Sequence, residues 1–336
     1  MPKAVIFGLS GPSPSDEERR FFAQSDPLGF ILFARNCEQP GQVVALVDAL
    51  RETVRRDSAP VLIDQEGGRV ARLGPPHWRQ APPIATFGTL AERDLGRAEQ
   101  AARLNARLIA GELRALGIDV DCAPVLDVPI AGSHDIIGNR AFSADPDLVA
   151  KLGRASVEGF LDAGILPIVK HVPGHGRAGV DSHRDLPVVP TPLDELRRTD
   201  FYPFAALADA PWAMTAHVIF SAIDPDRPAS VSVKLIETVI RGEIGFDGVL
   251  VSDDIGMEAL SGDFADRAAA TLAAGCDVAL HCSGAMDEMR AVASAVGELG
   301  DATLVRLDRA KAMIRQPGEV DLCALVSQLA ALMAAD

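Results

Sequence analysis

Short apolar runs alternate along the chain with longer stretches in which apolar residues recur every three or four positions. The runs at 4–10, 29–35, 60–65, 119–126, 165–171, 212–220, 248–253 and 277–282 are brief and rich in Val, Ile, Leu and Phe. Each predicts a buried strand. Amphipathic segments at 41–55, 95–116, 146–163, 192–208, 232–242 and 264–274 predict helices between most of them. The clearest is 95–116, whose alanines and leucines keep helical spacing and stop before Gly117. Strands alternating with helices predict a parallel sheet, and eight of them favour a closed (β/α)8 barrel over an open sheet. The connection between the first two strands reads as short. Those at 66–94 and 127–146 read as long loops, which in compact domains are usually functional. The Ala/Leu-rich segment 285–334 predicts extra C-terminal helices. No linker, repeat or low-complexity tract marks a second domain, so the expectation is one catalytic barrel over 1–336.

Composition narrows the partners. With 47 acidic against 32 basic residues the net charge is −15, which argues against nucleic acid or an anionic membrane surface as a main partner. No run approaches the roughly 18 apolar residues of a membrane span, and the apolar run at the N-terminus is too short for a signal peptide. Five widely spaced cysteines without a C-x-x-C pair read as reduced thiols of a cytoplasmic protein. Aromatic content of 5% offers no obvious interface patch, and a monomer is expected.

The chemistry collects just past strand ends, where barrel enzymes carry their active sites. The densest stretch is Lys170-His171-Val172-Pro173-Gly174-His175-Gly176, followed by Asp181-Ser182-His183. Pro173 and the neighbouring glycines forbid a regular helix there. An H-x-x-x-H pair faces one way only on a helix, so a metal site built on His171, His175, His183 and Asp181 is the minor reading. Asp181, two residues from His183, is placed to orient its imidazole and raise its pKa, making His183 a candidate proton carrier; the alternative is a solvated loop histidine. Lys170 suits a substrate oxygen or, alternatively, a neighbouring carboxylate inside the barrel mouth. Asp64, ahead of Gly67-Gly68, can accept from two sugar hydroxyls, and Arg72 can donate a bidentate pair; an ordinary charged loop is the competing reading. Asp253 and Asp254 end another strand, suiting one to nucleophilic attack and the other to capping a short helix at 255–260. His217 and His281 read as structural.

Taken together, these motifs resemble the family 3 glycoside hydrolases, and within them the bacterial cytoplasmic β-N-acetylglucosaminidases of peptidoglycan recycling. The resemblance is carried by Gly29-Phe30-Ile31-Leu32-Phe33-Ala34-Arg35-Asn36, Asp64-Gln65-Glu66-Gly67-Gly68-Arg69-Val70 and Ala123-Pro124-Val125-Leu126-Asp127-Val128. It continues through the Lys170–Gly176 loop, Asp181-Ser182-His183 and Ser252-Asp253-Asp254-Ile255-Gly256-Met257-Glu258-Ala259-Leu260. It implies a retaining hydrolase for terminal β-linked N-acetylglucosamine on muropeptides, with no metal or organic cofactor. By the family pattern Asp253 is the nucleophile and His183 the acid/base, oriented by Asp181. Asp64, Arg72, Arg140, Lys170 and His171 fall on sugar-binding positions. The glycines of loop 172–183 suggest that the Asp181–His183 dyad forms only with substrate bound. The competing expectations are a phosphorylase using the same nucleophile, a non-catalytic sugar-binding barrel and a metal-dependent barrel hydrolase.

Overall fold

The computed structural model describes residues 1–180, 185–315 and 321–334. Among them, strands β1 (Lys3–Phe7), β2 (Pro27–Leu32), β3 (Val61–Ile63), β4 (Val120–Asp121), β5 (Leu166–Val172), β7 (Trp212–Thr215), β9 (Val249–Asp254) and β10 (Val278–His281) close a parallel barrel. Closure comes from β1, which pairs with β2 on one side and β10 on the other. Strands β6 (Val188–Val189) and β8 (Ile219–Phe220) form a small separate parallel pair. The (β/α)8 expectation therefore holds.

Alternation along the strands explains the packing. Val5, Phe7, Phe30, Leu32, Val61 and Ile63 share one apolar cluster with Phe22, Val43, Leu46, Leu50, Ile109 and Leu113 of the surrounding helices. Their sequence neighbours Ile6, Ile31 and Leu62 belong to the other cluster, with Ile168 and Val251. Successive side chains thus point to opposite faces of the barrel wall. Every one of these residues is essentially inaccessible to water.

Several boundaries differ from the sequence reading. The first connection is not short: it carries a helix at Asp16–Ser25, begun by a Ser15/Glu18 capping box in which both reciprocal bonds form. The run 119–126 pairs as a ladder only at Val120–Asp121, since Pro124 has no N–H to give. The run 212–220 divides into β7 and β8, and the segment 192–208 into helices at Leu193–Arg198 and Tyr202–Ala206, the second with Pro203 in its first turn. Segment 232–242 becomes a π-type helix at Leu235–Glu243, and the long loop 66–94 contains a helix at Ala85–Ala91. The expected C-terminal helices lie at Met286–Ala295, Asp301–Ala312 and Leu322–Met333.

Candidate active site

A pocket of about 280 Å³ opens at the C-terminal ends of the barrel strands. It is at the small end of ligand sites, suited to one compact ligand. Asp64 enters it from the residue after β3, Lys170 and His171 from the end of β5, and Asp253 and Asp254 from the end of β9. Arg72 and Arg140 come from loops.

Lys170 anchors one wall. Only 2% of its side chain is exposed, and its ammonium bridges Asp64 at 2.8 Å and Glu66 at 2.7 Å. Arg72 donates to the second oxygen of Asp64 at 3.1 Å. Arg140 grips both oxygens of Glu66 in a fork, each bond 2.9 Å. Burial works to raise the Asp64 carboxyl, but Lys170 and Arg72 outweigh it and hold it well below the usual range. Glu66 is lowered in the same way, by Lys170 and Arg140 against burial. Burial would lower Lys170, and the two carboxylates instead push it far up. Asp64, Glu66 and Lys170 are therefore charged at neutral pH. Their donors and acceptors converge on the pocket.

The second wall is built on Asp127, which is fully buried. One of its oxygens accepts the backbone N–H groups of His171 at 3.2 Å and His175 at 2.7 Å; the other lies 2.8 Å from His171 Nδ1. The Lys170–His171 peptide is cis, and both side chains line the pocket. His175 packs its ring 5.6 Å from that of His171. Burial, followed by the nearby His171, depresses His175 to about 4, so it is neutral at pH 7.

Asp253 is brought to the pocket by the end of β9. Burial favours its neutral form, yet His171, His217, the Asp254 N–H at 2.8 Å and Lys170 together hold its pKa below the ordinary value. It is therefore ionised at neutral pH. The short helix expected at 255–260 does not form, and the chain makes turns there; the Asp254 side chain instead accepts from Gly256 N at 2.9 Å and Cys282 N at 3.2 Å, fixing the turn after β9 and tying it to β10. Burial raises its pKa. His217 links Asp254 to Ser230 through its two ring nitrogens, and His281 bonds Glu288, so both serve as structural residues.

The structure thus brings Asp64, Arg72, Arg140, Lys170, His171 and Asp253 to one pocket. Of the two readings of Lys170, the pairing with neighbouring carboxylates is realised, and the side chain also lines the cavity. Asp64 is paired with cations rather than standing free for hydroxyls. Asp181 and His183 lie outside the described residues. The chain leading toward them is anchored by Arg177, which donates to Asp200 at 2.7 Å, and by the His134 N–H on the Ala178 carbonyl. Glu66 and Asp127 are site residues that the sequence reading does not single out, and His175 enters it only as a candidate metal ligand, although all three stand inside the motifs. Their sequence signal was position next to a strand end; what it lacked was the partner.

Fold and pocket define a barrel enzyme with a partly buried, ionised carboxylate in a small pocket lined by charged side chains. Residues 4–316 match the N-terminal domain of glycosyl hydrolase family 3. The chain is 42% identical over 284 residues to a β-hexosaminidase of Xylella fastidiosa, covering 83% of each chain. It is 41% identical over 283 residues to a β-hexosaminidase of Alkalilimnicola ehrlichii, covering 83% of this chain and 80% of that one. NagZ from Neisseria gonorrhoeae, solved in complex with N-trifluoroacetyl-D-glucosamine, superposes with a TM-score of 0.86 at 29% identity, over 99% of this chain and 98% of that one. The chain belongs to glycosyl hydrolase family 3, among its members that resemble β-hexosaminidases.

Proposed function

We propose that the protein is a retaining exo-β-N-acetylglucosaminidase that removes terminal N-acetylglucosamine from muropeptides in the cytoplasm. The observation that carries this reading is the partly buried, ionised Asp253 at the mouth of a pocket sized for one sugar and lined by fixed charged groups. Asp253 attacks the anomeric carbon as the glycosidic C–O bond breaks. The leaving oxygen takes a proton from His183, and a glycosyl ester on Asp253 results. Water then attacks the same carbon, giving its proton to His183 and releasing Asp253. Lys170, Asp64, Arg72, Arg140 and His171 orient the sugar. Support for the substrate comes from the N-acyl glucosamine held by the Neisseria protein and from the names of the relatives. Support for the compartment comes from five unpaired cysteines. Among the described residues no helix is long and apolar enough to cross a membrane.

The test is hydrolysis of a chromogenic β-N-acetylglucosaminide by wild type and Asp253→Ala in phosphate-free buffer. Wild type should release the chromophore, and the variant should lose at least about a thousandfold in rate. Equal rates would remove Asp253 from the mechanism. Turnover that requires phosphate and yields the sugar 1-phosphate would make the enzyme a phosphorylase.

A further inference from the structure

We propose that Asp127 is a positioning residue: it holds His171 with its proton on Nδ1, and so dictates that Nε2 is the nitrogen His171 offers to the sugar. The catalytic consequence rests on the function proposed above; the tautomer does not.

The argument is one of donors and acceptors. Asp127 is completely buried, and a buried carboxylate is tolerated only when its oxygens are satisfied. One oxygen is committed to two backbone N–H groups, those of His171 and His175. A backbone N–H only donates, so this atom must remain an acceptor. The other oxygen faces His171 Nδ1 at 2.8 Å. Burial raises the Asp127 carboxyl, and His171 with its hydrogen bonds more than reverses that, so the group is ionised. An ionised carboxylate has no proton to give; the proton between them therefore belongs to Nδ1. Neutral His171 then presents Nε2 as a bare acceptor for a sugar hydroxyl, and protonated His171 presents it as a donor. His171 also lies close enough to Asp253 to be the largest favourable influence on its charge, so ring placement matters to the nucleophile as well.

Asp127→Asn makes a sharp test because the two backbone N–H groups leave the amide no choice of orientation. Its oxygen must stay on them, which turns the –NH2 toward Nδ1. Nδ1 then becomes the acceptor and the proton moves to Nε2. In wild type, ¹⁵N NMR should show a proton on His171 Nδ1 at neutral pH; in Asp127→Asn it should show a bare Nδ1. The variant should keep its melting temperature and lose on the order of a hundredfold in kcat/KM, less than the ~10⁴ seen when the partner of a catalytic base is amidated. A bare Nδ1 in wild type overturns the proposal whatever the variant does, including failure to fold. So does a variant with the switched tautomer and undiminished kcat/KM. Because the NMR readout needs no turnover, an inactive wild type would count against the proposed function and leave the tautomer assignment to be judged by its spectrum.

Discussion

Replacing Lys170 by methionine keeps the length of the side chain and removes the one cation shared by Asp64 and Glu66. Both carboxylates are more than four-fifths buried, at 15% and 3% exposure. Breaking a buried ion pair from one side usually costs about 3–5 kcal/mol, because the remaining charge is left in a poorly hydrated place. Here each carboxylate retains an arginine, Arg72 on Asp64 at 3.1 Å and the Arg140 fork on Glu66 at 2.9 Å. The loss therefore belongs at the low end, about 3 kcal/mol at pH 7. The pH dependence has a definite sign. Asp64 and Glu66 have folded-state pKa values below their unfolded ones. The stability they supply is present above the unfolded value, about 4, and is lost as pH falls through the folded values. In Lys170→Met the depression shrinks, and the two carboxyls take up protons at a pH where those of wild type are still ionised. The gap between variant and wild type should thus narrow between pH 7 and about pH 3, as the variant's carboxyls take up protons first. Urea unfolding at both pH values, read by linear extrapolation, measures it. A deficit under about 1 kcal/mol at pH 7, the size of an exposed pair, would refute the reasoning, as would a deficit that stays constant with pH.

Arg140→Lys preserves the charge but loses the fork on Glu66, and KM for a chromogenic β-N-acetylglucosaminide should rise about tenfold, the equivalent of 1.4 kcal/mol; an unchanged KM would show that the fork does not hold the sugar wall in place. Ser15→Ala removes the side-chain acceptor for the Glu18 N–H at 3.2 Å and should lower unfolding free energy by about 1 kcal/mol without altering kcat. An activity loss beyond the change in folded fraction would contradict the view that this helix is only part of the barrel's outer layer.

What the sequence determined by itself was the architecture and the address of the chemistry. Burial is written locally: runs such as Ile165–Val169 can satisfy their apolar side chains only between two covered faces, and eight such runs alternating with amphipathic helices leave few folds to choose from. A strand end followed by Gly or Pro also marks where polar side chains gather, as Asp64, Lys170 and Asp253 do. Less was legible where a local rule competes with a long-range one. The helix at Asp16–Ser25 had its capping box in plain view, yet its polar composition hid it until Phe22 packed against Phe7 and Phe30. The run 212–220 is apolar except for Thr215 and His217, but only the tertiary structure decided that its second part leaves the barrel to pair with Val188–Val189. The site's electrostatics belong wholly to the fold. Lys170 stands 106 residues from Asp64, and His171 stands 44 from Asp127. Barrel closure sets those groups within hydrogen-bond reach in a largely buried place, and there a charge is worth several times what it is on an exposed loop.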